Sequence, residues 1–117
     1  MSTHVADEEA LSEDGALCCR PLTETPLSRD DAAQLAGVLT ALADPVRLQL
    51  LSLVAAQGEA CSCNLEAPLG KSQPTVSHHT RVLAEAGLLV GEKRGKWMWW
   101  KVVPERLALL RRLLGGT

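Results

Sequence analysis

Four cysteines are the residues of this 117-residue chain whose type and spacing point to chemistry. Two are adjacent, Cys18-Cys19, and two flank a serine, Cys61-Ser62-Cys63. Thiolates are the ligands that soft ions select, so such a set suits a thiophilic metal. The same thiols suit a thiol–disulfide sensor. The acidic start, MSTHVADEEALSEDG, lacks the basic flank and apolar run of a secretory signal, and no apolar stretch approaches a membrane span. A cytoplasmic address without a membrane partner is expected. In that compartment metal or redox thiols outweigh a disulfide framework. An enzyme is disfavoured, because the chain has no CxxC, no Gly-rich phosphate loop and no Cys–His pair with an orienting third group. No organic cofactor is expected.

A second set of residues is polar and closely spaced. Ser72, Gln73, Thr75, Ser77, His78 and Arg81 open a helical segment and carry groups that bond base edges or phosphates. Helical spacing puts Gln73, Ser77 and Arg81 one turn apart on one face, flanked by Thr75 and His78, while Val76 and Leu83 turn inward. Polar side chains on a rigid rod suit a DNA major groove. A little further on, EKRGK offers Lys93, Arg94 and Lys96 to phosphates or a minor groove. Each of these residues alone reads as solvated surface; the ordered set is what points to DNA. The charge distribution agrees. Residues 1–44 hold nine acidic residues against Arg20 and Arg29, a balance of −7, whereas residues 45–117 carry a balance of +5. His78-His79 does not read as a metal pair, since neighbours on a helix diverge by about 100°; His78 is expected to face DNA and His79 to pack.

The elements that must hold these groups are legible from punctuation and period. Residues 1–27 carry few apolar residues and three breakers, Gly15, Pro21 and Pro26, and read as a mobile acidic arm bearing Cys18-Cys19. Residues 28–117 form the remaining domain. Ser28 caps a helix with Leu35, Val38, Leu39 and Leu42 at helical spacing. Asp44-Pro45 caps and starts a second, which Gln57-Gly58 ends. Ser62 is expected to cap a short helix from Cys63, placing both thiols in the positive end of a helix dipole, and Pro68 to kink or stop it near Ala67. Ser72 caps the polar helix, with Pro74 in its first turn and Gly87 closing it. Leu88–Lys93 and Lys96–Val103 are strand-like runs about an Arg94-Gly95 turn. Trp97 and Trp99 then share one strand face and Trp100 takes the other. A last helix from Pro104 carries Leu107, Leu110 and Leu114 on one face, with Leu109 and Leu113 beside it. The fold class is mainly α with a β-hairpin wing (α+β), a winged helix-turn-helix, in which a short core favours a homodimer.

In order and spacing, ALADPVRLQLL, CSCNL, SQPTVSHHTRVLAEAGLL and RGKWMWWKV resemble the ArsR/SmtB-type metalloregulatory repressors over about residues 32–103. The resemblance implies a homodimer that binds double-stranded operator DNA and leaves it on binding an inducer. Three departures bear on that reading. Leucine is frequent in the family where Lys71 and Thr80 stand, its helix is unbroken at Pro68, and Tyr-Tyr usually replaces Trp99-Trp100. The usual arsenic layout, CxCD with a third cysteine one turn on, reads here Cys61, Cys63, Asn64 and Ala67, so its third thiol is missing. The interfacial zinc layout also fails, as residues 104–117 hold only Glu105 of the needed types. As(III) and Sb(III) take three sulfurs in a pyramid. A family variant with N-terminal cysteines implies that Cys18 and Cys19 supply two of them and Cys61 or Cys63 the third, from the same subunit or its partner. The implied function is an As(III)- or Sb(III)-responsive repressor. A Cd, Pb or Zn repressor using all four thiolates, or a redox-sensing regulator, remains the alternative.

Overall fold

The computed structural model describes residue 24 and residues 26–115. Cys18, Cys19 and nearly all of the arm expected over residues 1–27 lie outside the described residues. Contacts divide the chain into two units, residues 38–104 and a unit formed by the segments before Val38 and after Pro104. Each is taken by itself.

In the terminal unit, Ser28 Oγ accepts the Asp31 N–H at 3.0 Å, satisfying a free donor at the start of helix α1 (Arg29–Leu42). Leu35 is buried together with Leu113 of the last helix, α5 (Pro104–Leu113), and Leu27, Leu109 and Leu110 pack against them. The expected stripe through Leu114 is therefore displaced. The helix ends at Leu113, and Leu114, beyond its last turn, is exposed.

In the larger unit, Val38 and Ala41 of α1 are buried. Helix α2 (Pro45–Gln57) starts as expected: Asp44 accepts the Arg47 N–H at 3.0 Å and Pro45 occupies the first position. It stops at Gly58, whose φ of 78° suits a residue without a Cβ. Leu50, Leu51 and Val54 face the core. Arg47 also joins three helices. Its guanidinium donates to the terminal α1 carbonyls of Ala41 (2.6 Å) and Thr40 (3.4 Å) and lies 3.3 Å from His79 Nδ1 on the polar helix. A cation on the last carbonyls of a helix meets the negative end of its dipole.

The next segment departs from expectation. Ala60–Cys61 forms a short strand, β1, followed by a 3-10 turn (Ser62–Asn64) and a single-turn helix α3 (Glu66–Leu69). Ser62 is not the cap. It is buried and donates through Oγ to Met98 O at 3.1 Å, while Cys61 Sγ accepts the Cys63 N–H at 3.2 Å. Pro68 does not end the helix either. The break comes earlier, at Leu65, so Pro68 sits in the first turn of α3, where no helix carbonyl awaits its missing donor.

Gly70, left-handed at φ 64°, turns the chain into α4 (Gln73–Glu85). Gly87 at φ 80° closes it, with Leu88 N–H on Leu83 O at 3.0 Å. Strands β2 (Leu89–Arg94) and β3 (Trp97–Val102) form the hairpin, antiparallel, with Arg94 opposite Trp97. The turn is Gly95-Lys96 rather than Arg94-Gly95, because Arg94 is the last rung and Gly95 supplies the positive φ. Strand β1 adds to the free edge of β3, pairing Ala60 with Trp100 and Cys61 with Trp99, so the sheet order is β1-β3-β2.

Trp100 is buried across Gly91, its cross-strand partner. A Cβ on Gly91 would lie 2.7 Å from both Cζ3 of that indole and Cε of Met98. Gly91→Ala should therefore destabilise the chain by about 1–3 kcal/mol through overpacking, read as a lowered denaturation midpoint. An unchanged midpoint would show that the ring yields freely.

Candidate nucleic-acid interface and thiol site

α3, the Gly70 turn and α4 make the helix-turn-helix. α4 is amphipathic: Val76, Thr80 and Leu83 are buried. Thr80 enters a leucine-like position because its hydroxyl donates back to Ser77 O at 3.0 Å, leaving only its methyl to pack. Ser72, His78 and Arg81 are exposed; Gln73, Thr75 and Ser77 are half-buried. Ser72 does not bond the helix backbone but donates to Thr75 Oγ1 at 3.2 Å. The Gln73–Ser77–Arg81 line borders a groove whose other wall is Lys96, Trp97, Met98 and Trp100 of the hairpin. His79 packs as expected. Burial pushes its imidazole below the usual 6.5, with the Arg47 charge reinforcing the shift and Asp44 opposing it.

The hairpin tip is less uniform than EKRGK suggests. Lys93 and Lys96 are exposed, and Lys96 Nζ lies 5.6 Å from the Trp97 ring. Arg94 is already engaged. Its Nη1 donates to Glu59 Oε1 at 3.0 Å, and its Nη2 to Glu59 Oε2 at 2.5 Å and to Glu92 Oε1 at 2.8 Å. The same guanidinium stacks 5.1 Å from the Trp99 ring, and Lys101 approaches Glu59 at 3.8 Å. Arg94 holds the Glu59 carboxyl below its ordinary range, and the two carboxylates raise Arg94 in turn.

Cys61 is buried at 1% exposure and Cys63 is exposed. They are joined in a disulfide, Cα–Cα 5.1 Å, where the sequence pointed to free thiols. The three-residue turn is too short for the expected dipole, and Cys61 Sγ accepts the Cys63 N–H. Among the described residues no three His, Cys, Asp or Glu side chains gather as a metal site. Cys18 and Cys19 lie outside them.

Sequence reasoning missed β1, which is shorter than any periodicity window, and with it the Glu59–Arg94 clasp. Only the EACSC composition, small and apolar beside polar, hinted at an edge strand.

Residues 44–90 match the family model described as bacterial regulatory protein, arsR family. An HTH-type transcriptional regulator of Methanocaldococcus jannaschii, MJ1325, is 37% identical over 79 residues, covering 68% of this chain and 89% of that protein. The chain belongs to the ArsR family. The arsenical resistance operon repressor of Escherichia coli is 43% identical over 63 residues, 54% of each chain, so the match spans about half of that relative. Two solved structures share the fold. The homodimeric winged helix-turn-helix DNA-binding domain Mb0332 of Mycobacterium bovis has a TM-score of 0.61 at 32% identity, covering 73% of this chain and 81% of that one. The antimony-specific transcriptional repressor AntR has a TM-score of 0.65 at 26% identity, covering 75% and 80%. This ArsR-family chain is accordingly a winged helix-turn-helix transcription regulator and not an enzyme. No single helix among the described residues is long and apolar enough to cross a membrane.

Two expected outcomes follow from this geometry. With the folded pKa of His79 below 6.5, the unfolded chain takes up protons first as pH falls. The His79 contribution is complete above about pH 6.5 and declines as pH drops through the folded value. Denaturation midpoints between pH 7 and 5 should fall less for His79→Gln than for the native chain; parallel curves would remove His79 from the account. With the wing tip on phosphate, as the sequence reading expects, Lys93→Ala or Lys96→Ala should lower the slope of log affinity against log salt by about one. Arg94→Ala should change it less, because Glu59 and Glu92 already neutralise that charge. Equal losses at all three positions would show that the clasp opens on DNA.

Proposed function

We propose that this ArsR-family chain is a cytoplasmic homodimeric repressor that binds double-stranded operator DNA and is released by As(III) or Sb(III). The observation that carries this reading is the meeting of the Cys61 and Cys63 sulfurs beside β3, the strand that builds the wing. Reduced by two electrons and two protons from a thiol reductant, which is itself oxidised to a disulfide, the pair is a dithiol able to chelate one soft ion. Where the sequence reading takes two thiolates from Cys18 and Cys19 and the third from Cys61 or Cys63, the proposed site takes two from the Cys61–Cys63 pair and the third from Cys18 or Cys19, since Ala67 stands where the common layout has a cysteine. Similarity to repressors named for arsenic and antimony supports a metalloid over a divalent metal.

DNA contact is assigned to Ser72, Gln73, Thr75, Ser77, His78 and Arg81 on α4, with Lys93, Arg94 and Lys96 at the wing. Coupling runs through β1. Glu59, Ala60, Cys61 and Ser62 each engage the hairpin, by ion pair, backbone pairing or the Ser62–Met98 bond. Drawing the two sulfurs onto an ion repositions this strand, and the wing moves with it. The inducer must bind the DNA-free state more tightly by the same factor by which it weakens DNA binding.

The Cys61–Cys63 disulfide favours a second reading, a regulator released by oxidation of this pair. Operator binding followed by anisotropy separates the two. Arsenite should lower the affinity of the reduced dimer by about 5- to 150-fold, the usual range of allosteric coupling. Cys63→Ser, and the double variant Cys18→Ser with Cys19→Ser, should each lose this response yet bind DNA normally. Release by peroxide alone overturns the metalloid reading, and an unimpaired arsenite response in the double variant overturns the role of the arm.

A further inference from the structure

The Cys61–Cys63 bridge meets solvent through one sulfur. Cys61 is 1% exposed, with its backbone paired to Trp99, and its neighbours Ala60, Ser62 and Leu65 are buried too. Cys63, in the turn that follows, is exposed. A thiolate breaks a disulfide by attacking one sulfur from the side opposite the other, so access selects the sulfur attacked. Cys61 offers no such open side; Cys63 does. The two Cα atoms stand 5.1 Å apart, which keeps Cys61 within bonding reach of Cys63 after the bridge opens. One thiol is thus presented and the other held behind it. The presented one lies in a three-residue turn, which a small thiol reaches without any docking surface.

We propose that Cys63 is an S-thiolation site, the entry point at which a low-molecular-weight thiol of the glutathione class and its disulfide exchange with the pair, and that Cys61 is the resolving thiol. In reduction the small thiolate attacks Cys63 Sγ. The bridge breaks, its electron pair leaves with Cys61, which takes a proton from water, and Cys63 is left in a mixed disulfide. A second small thiolate attacks the small-molecule sulfur of that mixed disulfide and releases Cys63. The pair gains two electrons and two protons, and two small thiols become one disulfide. Oxidation runs the other way: Cys63 attacks the small disulfide, and Cys61 then displaces the second small thiol from Cys63. The chain thereby follows the ratio of the small thiol to its disulfide. An effect on operator binding rests on the reading of this pair as an oxidation switch; the exchange itself does not.

The test starts from the full chain in its disulfide form, mixed with reduced glutathione, quenched in acid and mapped by tandem mass spectrometry. The first product should carry a single glutathione on Cys63 and a free thiol at Cys61. With the reduced chain and glutathione disulfide, Cys61→Ser should hold the adduct on Cys63, because its resolving partner is gone. Cys63→Ser should lose the adduct at this pair. Should Cys61→Ser fold poorly, the acid-quenched native chain gives the same assignment. Glutathione on Cys61, or an even split between the two sulfurs, overturns the roles. A pair that is reduced only by a protein dithiol or oxidised only by peroxide, with glutathione inert, overturns the site. Operator anisotropy of the disulfide and dithiol forms is a separate readout. Equal affinities, with the adduct found on Cys63, overturn the oxidation switch while supporting the exchange site.

Discussion

Two backbone pairings, Ala60 with Trp100 and Cys61 with Trp99, join the thiol segment to the wing. Without them β3 would be a bare sheet edge and the cysteines would sit on a connector free to move independently of the hairpin. The segment is also held from its two sides. Glu59 grips Arg94 before the strand, and Ser62 bonds Met98 after it. These contacts are local and short, so a displacement at Cys61 is not absorbed by a flexible loop. In the proposed mechanism this rigidity turns chelation of an ion into a changed hairpin.

The clasp at the wing tip also bears on affinity. Arg94 reads as a phosphate contact in the sequence, but its guanidinium is bidentate on Glu59 and shared with Glu92. Such an exposed pair contributes little to stability. Its consequence is electrostatic: two carboxylates stand close to where DNA would lie. A phosphate must replace them to recruit the arginine, so the proposed DNA surface includes its own internal competitor.

Much of this was legible in advance where punctuation is strong. Asp44-Pro45, Gln57-Gly58, Gly70 and Gly87 delimit helices by mechanisms that act within a turn, and the structure keeps all of them. The failures share a cause. Ser62 was expected to cap a helix, but its hydroxyl is taken by Met98, a residue 36 positions away. Strand β1 exists only because the β3 edge is there to receive it. Leu113 displaces Leu114 from the buried stripe because the helix ends between them. In each case a contact remote in sequence, or the exact end of an element, decided among locally reasonable outcomes. The same holds for the site: the polar line on α4 was visible, whereas the Glu59–Arg94 clasp, closed between residues 35 positions apart, was not.

Placing all three tryptophans on β3 in a chain without tyrosine or phenylalanine has an optical consequence. Essentially every near-ultraviolet chromophore lies on the strand between β1 and β2. Trp100 sits in a buried environment, whereas Trp97 and Trp99 lie beside Lys96 and Arg94. The native emission of the molecule is thus a signal from the wing alone, with no helix contributing background. Any rearrangement there is reported without a label.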